Sequence, residues 1–219
     1  DTEYEAGVEM GRFFAEKGIK TAAIYGAFIP NPMHVYRVAG VLSGLGLSYD
    51  GATEEGEVVG KIFTDQSVDL SKISGDIQIV SYLQGYGDTT TDEINAAIQA
   101  KPEAFISVGM ATTFFTQQLN AAGIEFSDID SFTQSNGEAI TNGKLVYLAG
   151  KYSSSVGPAF ALVLNAINGN VIRDEQGNAV SLSQNYQVAT DEATFDEFYK
   201  SDNGDNPIYN KETLDQIIG

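Results

Sequence analysis

The chain has 219 residues, 42% hydrophobic and 11% aromatic, enough for a substantial core in one large domain or one and a half ordinary ones. Thirty acidic residues against 12 basic ones give a formal net charge of −18, which excludes nucleic acid and anionic membrane as partners because phosphate binding needs clustered Lys and Arg. The absence of cysteine excludes disulfides, thiolate metal sites and cysteine nucleophiles, and no apolar run reaches the ~18 residues of a membrane span.

Thr2-Glu3-Tyr4-Glu5 reads as a capping box ahead of apolar Ala6, Met10, Phe13 and Phe14, predicting a helix that runs to about Lys17 and stops at Gly18. TAAIYG (21–26) is a short apolar run closing on glycine, the pattern of a strand buried on both faces of a parallel sheet. Asn31 is placed to cap, and Pro32 to open, a second helix with a buried stripe of Val35, Val38, Ala39, Leu42 and Leu45. His34, Arg37 and Val41 fall on another face of that helix. Further strands are predicted at 57–63, 77–83, 104–109, 126–132 and 144–150, and helices at 90–100, 111–122 and 154–168. Strand and helix taking turns point to an α/β fold with a mainly parallel sheet. Beyond Gly169 the stretch NVIRDEQGNAVSLSQNYQV is predicted to form a hairpin turning at 175–178, and two short acidic helices follow Thr190.

Catalytic constellations fall short. One histidine leaves no imidazole pair for a metal, and no GxSxG elbow presents a serine. Neither GxxxxGK[ST] nor GxGxxG opens a helix, and DNGDNPIYNKE (202–212) lacks EF-hand spacing and is interrupted by Pro207. The chain therefore reads as a binding protein, not an enzyme, with no cofactor and no metal. In an open α/β sheet, ligands gather at the carboxyl ends of the strands. The residues there are Phe28, His34, Tyr36 and Arg37 after the first strand, and Gln84, Tyr86 and Asp88 after the third. Gly109 and Met110 follow the fourth, and Asp130, Ser131 and Phe132 lie at the fifth. Hydrogen-bonding groups interleaved with rings suit a small polar solute with an apolar face, such as a sugar.

In order and spacing, the sequence resembles the type I periplasmic sugar-binding proteins of ABC transporters, related to ribose-binding protein and to LacI-type effector domains. The resemblance is carried by DTEYEAGVEMGRFFAEKGIKTAAIYG, YRVAGVLSGLG, KPEAFISVGMATTFFTQQLNAAGI and YSSSVGPAFALVLNAINGN, spanning about residues 1–190. It implies a three-layer Rossmann-like lobe of the periplasmic-binding-protein-like I class, an incomplete version of a two-lobe fold. By the same comparison, residues 1–143 and 170–219 form the carboxyl-terminal lobe, while 144–169 crosses to a missing first lobe. The apolar face of 154–168 (Val156, Phe160, Val163, Ile167) is then expected to pack on its own lobe or on a neighbouring chain, allowing self-association.

Carried over by position, Arg37 matches the family arginine that donates to ligand oxygens, Asp130 lies near its acceptor, and Lys151 near its last-crossover contact. Gly109-Met110 stands where the family commonly has a hydrogen-bonding Asn-Asp pair, and His34 has no counterpart, so it is expected at the rim. The resemblance implies an extracytoplasmic location, periplasmic or lipid-anchored, with a sugar-like solute and an ABC permease as partners. Its alternative is the effector-sensing domain of a regulator or membrane receptor with the same architecture.

Overall fold

A computed structural model describes residues 2–86 and 91–218; Asp88 lies outside them. The capping box forms as the sequence requires: the Glu5 amide donates to Thr2 Oγ1 at 3.1 Å, the Thr2 amide to Glu5 Oε2 at 2.7 Å, and α1 runs Glu3–Glu16. β1 (Thr21–Tyr25) follows, then α2 (Pro32–Gly44), capped by Asn31 through the Met33 amide. β2 (Ser48–Tyr49), α3 (Glu55–Asp65) and β3 (Ile73–Ser74) lead to β4 (Gln78–Leu83). Regular alternation continues through α4 (Thr91–Gln99), β5 (Ala104–Ser107), α5 (Ala111–Ala122), β6 (Glu125–Ile129), α6 (Gln134–Thr141) and β7 (Leu145–Gly150). The chain closes with α7 (Val156–Ile167), β8 (Gln187–Ala189), α8 (Glu192–Asn203) and α9 (Lys211–Ile218).

The main sheet has the order β4-β1-β5-β6-β7-β8, parallel throughout except for the antiparallel edge strand β8. Helices α1, α2 and α3 form one packed row and α4, α5, α6 and α8 another, the two outer layers. The chain runs from β1 outward to β4 and then returns to β5 on the other side of β1. Strand order therefore reverses between β1 and β5.

Several sequence expectations are corrected. The run at 57–63 is inside α3, because Val58, Val59 and Ile62 bury one side at helical spacing while Gly56 and Gly60 face open space. The hairpin after Gly169 reduces to a single bridge, Arg173 with Ala179, around a turn closed by Asp174. Apart from these corrections, Leu145–Gly150 within the span 144–169 is an interior strand paired to β6 and β8, and the chain exits the sheet at its end. That exit is pinned by the buried Asp202 of the acidic 202–212 stretch, whose carboxylate accepts from the amides of Ser153 (2.8 Å) and Ser154 (2.9 Å) and from Ser154 Oγ (2.6 Å). Helix α7 packs on α9, with Leu214 beside Gly157, and the face expected to meet either its own lobe or a neighbouring chain is exposed. Val156 is 69% exposed, Phe160 64%, Val163 57% and Ile167 75%. No helix among the described residues is long and apolar enough to cross a membrane.

Helices α1 and α2 meet backbone to backbone. A Cβ at Gly7 would lie 2.2 Å from Arg37 O, at Gly11 2.4 Å from Val41 O, at Gly40 2.1 Å from Tyr4 O, and at Gly44 2.2 Å from Val8 O. Each helix thus carries two glycines four residues apart on the contact face. Gly40→Ala is expected to destabilise by about 3 kcal/mol through overpacking. Gly60→Ala, with nothing within 4 Å, should instead stabilise by about 0.5–1 kcal/mol through helix propensity. Urea denaturation of the two variants checks the contrast.

Candidate functional site

The carboxyl ends of β1 and β5, where strand order reverses, are lined by buried polar groups, which a core excludes unless they are partnered. Arg37 is buried at this point on α2. Its Nε donates to Glu3 Oε2 (2.6 Å), Nη1 to the Val108 carbonyl (2.9 Å) and Nη2 to Tyr186 Oη (2.8 Å). Tyr186 Oη in turn donates to Glu3 Oε2 at 2.6 Å. Lys151 completes the group, with Nζ 3.4 Å from Glu3 Oε1 and 4.2 Å from the centre of the Tyr186 ring. Burial of Glu3 favours its neutral form, but the Tyr186 hydrogen bond and the Arg37 and Lys151 charges outweigh it and hold the carboxyl below its usual range. Tyr186 is pushed up to about 12, first by burial, then by Glu3.

His34 is also buried, contrary to the expected rim position. Its helix is covered on the Arg37 side by α1 as well as along the predicted stripe. Nδ1 lies 3.0 Å from the Phe28 amide, which donates to it, and 3.1 Å from the Phe28 carbonyl. Burial, aided by Arg37, holds the imidazole below its usual value and hence neutral at pH 7.

Beside this polar floor stand the exposed rings of Phe28 and Tyr86, 5.6 Å apart between centroids, with the partly buried Phe114 6.3 Å from Tyr86. The tight β1 and β5 exits hold Ala27 and Met110 in left-handed backbone conformations, at φ 50° and 68°. The β5 exit is fixed by Asp128, fully buried, which accepts from Ser107 Oγ (3.1 Å) and the Ile129 (3.0 Å) and Thr112 (2.7 Å) amides, while the Gly109 amide donates to Ser107 Oγ at 3.1 Å. Burial pushes Asp128 up to about 6, against the opposing Thr112 bond.

The structure thus joins Arg37 and Lys151 in one network, with His34 and Phe28 linked beside it. Met110 caps α5 at the β5 exit without a side-chain hydrogen bond. Asp130 is half-buried and turned to its own loop, accepting from the Ser131 amide at 2.7 Å. Gln84 points away, donating to the Gln66 carbonyl at 3.2 Å. Tyr36 is exposed, and no hydrogen bond ties it to the network among the described residues. Glu3, Tyr186 and Phe114 were not picked from the sequence. Glu3 and Tyr186 are separated by 183 residues, and each sits in a segment whose local pattern has another explanation, a helix cap and a turn-rich stretch.

No protein-family model matches the chain, and no curated protein matches it by sequence. Solved structures do match in fold. A periplasmic solute-binding protein of an ABC transporter from Actinobacillus succinogenes 130z, with bound D-allose, aligns at TM-score 0.59 and 15% identity over 90% of this chain and 62% of its own. An arabinose-binding protein from Geobacillus stearothermophilus aligns at 0.57 and 12%, over 90% of this chain and 63% of its own. The fructose-binding periplasmic domain of the hybrid two-component system BT1754 aligns at 0.62 and 13%, over 100% and 64%. At these identities the likeness is one of fold, a single lobe of the type I periplasmic sugar-binding architecture. The chain spans less than two thirds of the length of the solved proteins it matches.

Asp128 makes a pH prediction. The unfolded chain ionises this carboxyl near 3.8 and the folded protein near 6, so the stability it contributes is complete below about pH 4 and is lost as pH rises to about 6. Between those limits the wild type should lose on the order of 3 kcal/mol relative to Asp128→Asn, measured by urea denaturation of both proteins across the range.

Proposed function

We propose that this chain is the second lobe of an extracytoplasmic solute-binding protein that captures a sugar or sugar derivative and delivers it to an ABC permease. The observation that carries the reading is the meeting of Arg37, Lys151 and His34 with the Phe28–Tyr86 rings at the strand-order reversal. The fold shared with proteins that bind D-allose, arabinose and fructose supports it.

In this reading each group has a physical task. The exposed rings take the apolar face of a pyranose or furanose. Arg37 keeps two N–H donors beyond those committed to Glu3, Val108 and Tyr186, and Lys151 keeps donors beyond Glu3. Met110 sits at the mouth as an apolar contact, and Asp130 supplies an acceptor when its loop turns toward the ligand. Gln84 and Tyr36 take no part.

A first lobe would cover the opposite side of the solute, closing about the segments after β7 and before β8. The exposed apolar face of α7 supports this as the surface on which that lobe packs. Without that lobe the same face would drive self-association. A second reading, an effector-sensing domain, is favoured by one observation: the matched folds include the periplasmic domain of the hybrid two-component system BT1754 and a TorS sensor domain–TorT complex.

Titration calorimetry with D-allose, D-fructose and L-arabinose tests sugar binding. Arg37→Lys, which keeps the charge but not the fork of donors, should weaken any sugar that binds by about tenfold or more; unchanged affinity removes Arg37 from the site. On the α7 face, light scattering of the 219-residue chain should show concentration-dependent dimers that Phe160→Asp abolishes. A monomer at all concentrations refutes self-association there.

A further inference from the structure

Gly109 lies at the strand-order reversal, and the space where its side chain would begin is bounded by polar atoms. A Cβ there would lie 3.5 Å from Arg37 Nη1, 3.5 Å from the Ile129 carbonyl oxygen and 3.8 Å from His34 Nε2. His34 is 4% exposed. The Phe28 amide N–H is directed at Nδ1, and on that geometry the neutral ring is assigned the tautomer with its proton on Nε2, which makes no hydrogen bond among the described residues. Arg37 Nη1 commits one N–H to Val108 and keeps the other. Two donors and one acceptor therefore surround the position that a side chain at Gly109 would occupy.

That set matches one chemical group. A hydroxyl accepts twice and donates once, leaving no partner unmet. A carboxylate would set an acceptor against the Ile129 carbonyl, and a deoxygenated carbon would leave the His34 and Arg37 donors desolvated and unpaired. We propose that Gly109 opens a notch for one hydroxyl of a neutral polyhydroxy solute, with His34 Nε2 and Arg37 Nη1 donating to it and the Ile129 carbonyl accepting from it. The proposal rests on the sugar-binding reading above and adds to it the residues that choose a hydroxyl over a carboxylate or a bare carbon.

His34 is the only histidine of the chain, so an imidazole ¹⁵N spectrum of the 219-residue protein reads this notch alone. D-Allose, D-fructose, L-arabinose and, separately, D-gluconate are added at millimolar concentration, while backbone amides report binding independently. At least one neutral sugar is expected to shift the site amides and the Nε2 signal together. Gly109→Ala should then weaken that sugar by about tenfold or more at an unchanged melting temperature. Its Cβ meets nothing closer than 3.5 Å and its backbone is outside the left-handed region, so the variant folds. A sugar that shifts the amides, leaves Nε2 unmoved and binds Gly109→Ala equally well overturns the notch and leaves the sugar-binding reading intact. Movement of Nε2 by D-gluconate but by none of the neutral sugars overturns the choice of a neutral hydroxyl. No shift with any sugar overturns the sugar-binding reading and the notch with it.

Discussion

Backbone contact between α1 and α2 sets the position of everything at the site. With Gly7 and Gly11 on one helix and Gly40 and Gly44 on the other, the two backbones approach within a distance that any Cβ would block. That approach brings Glu3, in the first turn of α1, to the Arg37 guanidinium, one turn before Gly40 on α2. A wider helix pair would leave a buried arginine without its carboxylate, a large desolvation penalty with nothing to offset it. The glycines are therefore a precondition for a cation in the interior of a chain whose net charge is −18.

From this contact the site is held in two halves. Glu3 collects donors from Arg37, Tyr186 and Lys151, so the start of α1, the exit of β7 and the approach to β8 share one carboxylate. Asp128 holds the second half by tying the β5 exit to the first turn of α5. The two acids lie in contrasting environments: cations and a phenol surround Glu3 and hold it ionised, whereas burial favours the proton on Asp128. Groups whose partners fix their rotamers form a preorganised floor, and the Phe28 and Tyr86 rings above it are exposed.

Beyond the sheet, α7 combines a fixed root with an unmatched face. The Asp202 carboxylate determines where the chain leaves β7, while Val156, Phe160, Val163 and Ile167 face away from α9. Polar anchoring at the root and apolar exposure along the helix thus belong to one segment.

The sequence by itself determined the elements whose signals are local. The capping box at Thr2, the Asn31 cap and Pro32 start of α2, the buried strands β1, β5 and β7, and the parallel architecture were legible because propensity and periodicity act over a few residues. Arg37 was legible as a candidate by its place after β1. Residues 57–63 were misread because a helix with two glycines on its open side and four apolar residues on the other resembles an apolar run. Paired glycines four apart on α1 and α2 were visible in the sequence, but nothing local says that two such helices face each other. Only the tertiary structure decided that His34 is buried, that Glu3 and Tyr186 meet across 183 residues, and that Gly109 faces His34 and Arg37 rather than solvent. The reason is physical: burial and hydrogen bonding between distant segments depend on how layers pack, and packing is set by close backbone approach, which no single stretch of sequence contains.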